Sequence, residues 1–197
     1  MESVLSEEMH QQHPILWWRV WGFTSVIFRH GDTLSFLMGI VSLMPQVLIV
    51  AFVASDLTAF SEPWVDVHVG LALSEVLNFA LKQYFQQPRP DHPCPLASRA
   101  DYGYPSSHSQ FMFFFAVRAS IEWWRAQKSY EEQRQRIQKH RHTPNAPPPL
   151  RKLQQVFLPF FLVSAAVLVA VSRVWNSYHS LEQVVAGAVV GGSWGVG

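Results

Sequence analysis

The chain has 197 residues, a formal net charge of +1 and hydrophobic side chains at 49% of its positions. This length suits one domain, and the near-neutral charge argues against a dedicated nucleic-acid-binding protein. The single cysteine, Cys94, excludes an intrachain disulfide and a cysteine-rich metal site. The first segment, from Met1 to Pro14, is polar and acidic rather than basic, which argues against a cleaved signal peptide.

A tryptophan-rich segment follows, from Ile15 to Phe23, and includes Arg19. Tryptophan clustered with arginine is typical of the interface between membrane and water. We therefore expect an interfacial helix here, in preference to a separate span. This helix would complete an N-terminal region of residues 1–33, and a membrane-embedded domain would occupy residues 34–197.

Five apolar stretches indicate membrane-spanning helices, because each approaches the roughly 20 residues that a span needs. They cover residues 34–53, 64–84, 109–124, 156–171 and 181–197, approximately. Glu75 and Asn78 lie inside the second stretch, where we expect them to hydrogen-bond between helices. The fifth stretch is rich in glycine and alanine, which suits close helix packing in a bilayer. The pattern predicts an all-α, polytopic membrane helix bundle with about five visible spans.

A basic polar insert at residues 125–152 separates the third and fourth stretches. Its first half is expected to extend the third helix beyond the membrane, and the proline-rich run that starts at Thr143 predicts a linker. The positive-inside tendency places this insert in the cytosol. If successive spans cross the membrane in alternating directions, four span ends lie on the opposite, non-cytosolic face. These are the end of the second span, the start of the third, the end of the fourth and the start of the fifth.

Three polar motifs fall at those four positions. They are Lys82-Gln-Tyr-Phe-Gln-Gln-Pro-Arg89-Pro90, Tyr104-Pro105-Ser106-Ser107-His108 and Ser172-Arg173-Val-Trp-Asn-Ser-Tyr-His179. Each has an ordinary explanation when taken alone: a snorkelling lysine, a helix N-cap, and interfacial residues between two spans. Charged residues close to a bilayer are nevertheless costly and usually functional. Because all three motifs share one face, they predict a single site for a phosphate ester or anhydride.

The order and spacing of these motifs resemble the signature of the type 2 phosphatidic acid phosphatase superfamily. The stretches Gly31 to Ser35, Ser42 to Pro45, Leu71 to Phe79 and Tyr102 to Phe114 are similar to its dolichyl diphosphate phosphatase branch. The resemblance implies a haloperoxidase-like helix bundle and a phosphatase with a histidine nucleophile, and it implies no metal or other cofactor. The family usually has a further helix after the fifth, so we expect a truncated C-terminus.

The resemblance also implies roles for the residues of the three motifs. His179 is the expected nucleophile, and His108 is the expected general acid and base. Gln183 stands where the superfamily has Asp and is expected to orient His179, with Glu182 as the alternative orienting residue. The residues expected to bind the phosphate oxygens are Lys82, Arg89, Ser106, Ser107 and Arg173. His92 is a weaker candidate, for shaping the substrate entrance.

The branch that the chain resembles implies release of one phosphate from dolichyl diphosphate at the lumenal face of the endoplasmic reticulum membrane. This reaction recycles the lipid carrier for protein N-glycosylation. The implied partners are a polyisoprenoid diphosphate and the bilayer, without nucleic acid or an obligate protein partner. Two alternatives stay open: another lipid phosphate or polyprenyl diphosphate phosphatase of the superfamily, and a non-catalytic scaffold that binds lipid phosphates.

Overall fold

The computed structural model describes residues 18–21, 26–58, 62–92, 102–141 and 150–197. Within them the chain forms a β-hairpin followed by a series of helices. In chain order the elements are β1 (Trp18–Trp21), β2 (Val26–Arg29), α1 (Thr33–Val41), α2 (Met44–Thr58), α3 (Glu62–Phe85), α4 (Ser107–Arg141), α5 (Leu150–Trp175) and α6 (Leu181–Val196).

The last four apolar stretches correspond to α3, α4, α5 and α6, and α4 extends through the first half of the basic insert as predicted. Two segments, Thr33–Ala54 and Val156–Trp175, are long and apolar enough to cross a membrane by length and composition. The first of these is divided between α1 and α2. Pro45 has no N–H to donate to the carbonyl of Val41, so one backbone hydrogen bond of a continuous helix is missing there. The Ser42 hydroxyl also donates to the Gly39 carbonyl, at 2.7 Å.

The N-terminal segment differs from the expected interfacial helix. Residues Trp18–Trp21 form β1, which pairs antiparallel with β2 and places Trp18 opposite Arg29. Tryptophan and valine favour strands, and β2 provides the backbone hydrogen-bond partners for β1. Val26 and Ile27 of β2 are themselves buried. The helix prediction is therefore wrong for these four residues, and the remainder of that segment lies outside the described residues.

Helix α4 lies at the centre of the bundle and packs against α3, α5 and α6. Its residues Phe114 and Ala116 are buried in the main apolar core. Two glycines of α6, Gly187 and Gly191, lie directly against the α4 backbone, and a Cβ added at Gly191 would overlap the carbonyl of Gln110. The close packing predicted from the glycine-rich stretch is confirmed.

A buried polar network joins α3 to α4. The Gln110 amide donates to the Ser74 carbonyl at 2.7 Å and accepts from Asn78 Nδ2 at 2.8 Å. Asn78 Nδ2 also lies 3.4 Å from the Pro105 carbonyl. The interhelical role predicted for Asn78 is thus confirmed, whereas Glu75 lies on the exposed surface of α3. The network fixes the start of α4, which carries the second motif.

Candidate active site

The three polar motifs meet at one end of the bundle. The C-terminal ends of α3 and α5 lie there beside the N-terminal ends of α4 and α6. Two backbone hydrogen bonds link the segments: Ser106 N–H donates to the Gln183 carbonyl at 2.9 Å, and Gly103 N–H donates to the Gln87 carbonyl at 2.8 Å. The fold therefore brings together residues such as Pro88 and Gln183, which lie 95 positions apart in sequence.

His179 lies at the centre of this cluster and is only 2% exposed. Both of its ring nitrogens have side-chain partners. Nδ1 lies 3.0 Å from Gln183 Oε1, and Nε2 lies 2.9 Å from Arg89 Nη1. The imidazole is thereby held between the first motif and the first turn of α6.

These partners determine which ring nitrogen carries the proton. The Pro88 carbonyl can only accept a hydrogen bond, so Gln183 presents Nε2 to it, at 2.8 Å, and presents Oε1 to His179. Nδ1 must then donate. On the other side of the ring, the Arg89 guanidinium can only donate, so Nε2 of His179 must accept. Both ends of the network assign the same tautomer, with the proton on Nδ1 and the Nε2 lone pair available.

Burial and nearby cations keep this imidazole neutral. Desolvation, followed by the positive charges of Arg173 and Arg89, holds the pKa of His179 well below its ordinary value. The hydrogen bond that His179 Nδ1–H donates to Gln183 raises this pKa, but its influence is smaller than that of burial and of the two arginines. Because a protonated imidazole has no free lone pair, this environment favours the nucleophilic form.

The turn that carries His179 is held from both sides. The Arg173 carbonyl accepts hydrogen bonds from Tyr178 N–H at 2.9 Å and from His179 N–H at 3.2 Å. The Arg173 guanidinium lies over the Tyr178 ring, 4.1 Å from its centroid. The Tyr178 hydroxyl in turn accepts from Ile27 N–H at 2.8 Å. The N-terminal hairpin therefore braces the site.

A second brace connects the same turn to α1. Ser35 Oγ donates to Asn176 Oδ1 at 2.8 Å, and Asn176 Nδ2 donates to the Ser35 carbonyl at 3.2 Å. Asp32 caps α1 by accepting from Ser35 N–H at 3.0 Å, next to Gly31 at φ +80°. This gives a structural reason for the Gly31 to Ser35 stretch that the sequence analysis singled out.

Gln183 occupies its position because of how α6 begins. Ser180 caps the helix, and Gln183, three residues later, completes a capping box with it. Gln183 is 1% exposed, whereas Glu182 is exposed on the first turn. Of the two candidates for orienting His179, Gln183 is the residue in contact with Nδ1.

His108 lies in the first turn of α4 and is partly buried. Its Nε2 lies 3.2 Å from Gln46 Nε2, a contact from α2 that the sequence analysis did not predict. Ser106 is fully buried, and its hydroxyl has no hydrogen-bond partner among the described residues. Ser107 begins α4 and is partly exposed. The backbone at this helix start suits an anion.

Three cations surround the two histidines. Lys82, Arg89 and Arg173 each lie close enough to both rings to interact with them electrostatically. Arg173 is 7% exposed and Arg89 is partly buried, so their charges are only weakly screened by solvent. Across the part of the chain that the structure describes, no group of three His, Cys, Asp or Glu side chains could hold a metal ion. The predicted cationic and histidine residues thus form one positively charged cluster.

Several residues of the site were not predicted from the sequence. Gly103 lies against the Gln183 amide, where a Cβ would be 2.7 Å from both Nε2 and Oε1. Tyr178 and Asn176 brace the turn that carries His179. Both stand inside the third motif, but no role was predicted for them. His92, the weaker candidate, lies in the wall of the site, with Nε2 2.9 Å from the Asn176 carbonyl. The stretch around Gly103 resembled the family, but nothing in the residues themselves signalled a role for it.

Comparison with known proteins agrees with this geometry. Residues 63–197 match the PAP2 superfamily. Dolichyldiphosphatase 1 of Callithrix jacchus is 34% identical over 175 residues, which cover 89% of this chain and 68% of that protein. Dolichyldiphosphatase 1 of Homo sapiens is 33% identical with the same coverage.

The fold is also similar to a solved structure. The crystal structure of the transmembrane PAP2 type phosphatidylglycerolphosphate phosphatase from Bacillus subtilis aligns with a TM-score of 0.62. The alignment covers 100% of this chain and 84% of that one, at 18% identity. The family match, the relatives and the shared fold show that this chain is a membrane phosphatase of the PAP2 superfamily.

Proposed function

We propose that the protein hydrolyses dolichyl diphosphate to dolichyl phosphate and inorganic phosphate through a phosphohistidine on His179. The observation that carries this proposal is the fixed tautomer of His179, whose Nε2 lone pair lies beside the Arg89 guanidinium. A nucleophile and a cation that binds phosphoryl oxygens are therefore adjacent. Relatives that are dolichyldiphosphatases support the choice of substrate.

In the first step, His179 Nε2 attacks the terminal phosphorus and the bond from that phosphorus to the bridging oxygen breaks. The bridging oxygen takes the electron pair and a proton from His108, and dolichyl phosphate departs. His179 keeps its Nδ1 proton throughout, hydrogen-bonded to Gln183 Oε1. Arg89 turns from the Nε2 lone pair to a phosphoryl oxygen as the substrate enters.

In the second step, His108 removes a proton from water, and the water oxygen attacks the phosphorus. The P–N bond breaks, its electron pair returns to Nε2, and inorganic phosphate leaves. Lys82, Arg89 and Arg173 stabilise the charge on the equatorial oxygens in both steps, with help from the Ser106 hydroxyl and the start of α4. Phosphoryl transfer depends mainly on such positioning and electrostatics.

The same proposal includes a location and an orientation. The basic part of α4, which includes the exposed Arg125, lies at the end of that helix away from His108. If this end is cytosolic, the site faces the lumen of the endoplasmic reticulum. There the reaction would recycle the lipid carrier for protein N-glycosylation.

The test is phosphate release in detergent, with EDTA present, from dolichyl diphosphate, a shorter polyprenyl diphosphate and phosphatidate. We expect release from dolichyl diphosphate that persists in EDTA, because three fixed cations provide the positive charge. His179→Ala should abolish it, and His30→Ala, a change at an exposed histidine outside the site, should not. Preference for phosphatidate would contradict the proposed substrate, and lipid binding without release would favour a non-catalytic scaffold.

A further inference from the structure

The nucleophile and the cation beside it lie on two neighbouring loops. Arg89 is on the loop that follows α3, and His179 is on the turn that follows α5. Within two residues of its helix, each loop has a non-glycine residue in the left-handed region, Gln86 at φ +50° and Ser177 at φ +57°. This conformation is unfavourable for a residue with a Cβ and persists where surrounding contacts hold it. The contacts between the two loops therefore bear on the positions of both functional groups.

Arg89 and His92 of the α3 loop both contact the α5 turn. Arg89 Nη1 lies 2.9 Å from His179 Nε2 and 3.4 Å from the Tyr178 carbonyl. His92 Nε2 lies 2.9 Å from the Asn176 carbonyl, and the His92 and Tyr178 ring centroids are 5.5 Å apart. Because a carbonyl can only accept, His92 Nε2 carries a proton and donates it. A neutral ring and an imidazolium can both make this donation, so the contact does not depend on the charge of His92.

These contacts have different fates when substrate binds. Arg89 must release His179 Nε2, because that lone pair attacks phosphorus, and its guanidinium then binds a phosphoryl oxygen. The hydrogen bond of His92 ends instead on a backbone carbonyl that takes no part in the reaction. It can therefore persist through turnover and hold the α3 loop in place while Arg89 changes its partner.

The groups that His92 contacts are themselves anchored elsewhere in the fold. The Asn176 side chain exchanges two hydrogen bonds with Ser35 of α1, at 2.8 and 3.2 Å. The Tyr178 hydroxyl accepts from Ile27 N–H of β2 at 2.8 Å. His92 thus ties the α3 loop to a part of the site that α1 and the hairpin already hold.

We propose that His92 is a positioning residue that holds the Arg89 loop against the turn that carries His179. It touches neither the nucleophilic nitrogen nor the phosphoryl group. It acts by keeping the Arg89 guanidinium within reach of the phosphoryl oxygens at the moment when the contact between Arg89 and His179 is given up. This inference rests on the proposed function for the movement of Arg89.

The test compares phosphate release from dolichyl diphosphate by His92→Phe, His92→Gln and His30→Phe. Phenylalanine keeps a ring beside Tyr178 but cannot donate, so kcat/KM should fall by about 2- to 12-fold, the factor that corresponds to one hydrogen bond. Glutamine supplies an amide N–H in the place of imidazole Nε2–H and should restore most of the loss. His30 is exposed and outside the site, and its change should have no effect.

A double-mutant cycle tests whether His92 acts through Arg89. In an Arg89→Ala background there is no guanidinium to position, so His92→Phe should cause little further loss. Imidazole nitrogen NMR gives a second measurement that needs no substrate. Since Arg89 donates to Nε2 of His179, loosening of the loop in His92→Phe should shift that nitrogen signal, and His30→Phe should not.

Four results would overturn the proposal. They are wild-type kcat/KM in His92→Phe, no restoration by His92→Gln, the full loss from His92→Phe in the Arg89→Ala background, and an unmoved His179 nitrogen signal in His92→Phe. If the unaltered protein releases no phosphate from any of the three lipids, the proposed function fails. The NMR comparison then decides on the role of His92 alone.

Discussion

Gly103 offers a sharp test of how His179 is oriented. A Cβ at this position would lie 2.7 Å from Oε1 and Nε2 of Gln183 and 2.9 Å from Cδ. To reach ordinary contact at 3.4 Å, the amide must retreat by about 0.7 Å. It cannot do so freely, because His179 at 3.0 Å and the Pro88 carbonyl at 2.8 Å hold it on two sides. Gly103→Ala should therefore displace Gln183 and release His179.

The expected size of the effect follows from the bond that is lost. Leaving a buried polar group without its partner costs about 1–3 kcal/mol. If that stabilisation is lost from the transition state, kcat/KM falls by about 5- to 150-fold, since about 1.4 kcal/mol corresponds to a factor of ten. The assay is phosphate release over a range of lipid concentrations. Gly192→Ala is the matched control, because a Cβ there meets nothing within 4 Å.

A double-mutant cycle separates this cause from general damage. In a Gln183→Ala background the added methyl group at position 103 has room, so Gly103→Ala should cause little further loss. Additive losses would refute the idea that Gly103 acts through Gln183. Unchanged kcat/KM in Gly103→Ala, in a protein that remains monodisperse in detergent, would refute the close contact itself.

Three further changes test the electrostatics and the braces of the site. The pKa of His179 is held well below its ordinary value of about 6.5. As the pH is lowered, protonation of His179 should therefore begin to reduce kcat/KM only below about pH 6.5. Gln183→Glu should raise the pKa of His179 and move this acid limb to higher pH, and an unmoved limb would contradict the assigned contact. Tyr178→Phe removes the hydroxyl that accepts from buried Ile27 N–H, so thermal unfolding should show a loss of about 1–3 kcal/mol, and no loss would argue against this brace. Gly191→Ala should destabilise the α4–α6 interface, and wild-type thermal stability would contradict that packing.

Much of the fold could be predicted because long apolar stretches report helices directly. The bounds of α3 and α6 agree closely with the stretches at residues 64–84 and 181–197. Two features could not be predicted in this way. The break at Ser42 depends on the missing N–H of Pro45 and on a local hydroxyl contact. The β1 strand depends on pairing with β2, a tertiary contact that outweighs the pattern expected of an interfacial helix.

The members of the site could be predicted from motif spacing, but their contacts could not. His179, Arg89 and Gln183 were all expected near the phosphate, yet only the structure shows that Gln183 also binds the Pro88 carbonyl and so sets the tautomer. Gln46 was missed because it stands in an apolar helix, far in sequence from His108. The contact between Gln46 and His108 is a tertiary pairing that no local sequence pattern encodes.

The most direct test of the central claim is to identify the residue that becomes phosphorylated. A brief reaction of the unaltered protein with dolichyl diphosphate, quenched in alkali, should trap the intermediate for mass spectrometry. We predict one phosphoryl group, on the peptide that contains His179. A phosphoryl group on another residue, or wild-type phosphate release that continues in His179→Ala, would contradict the account.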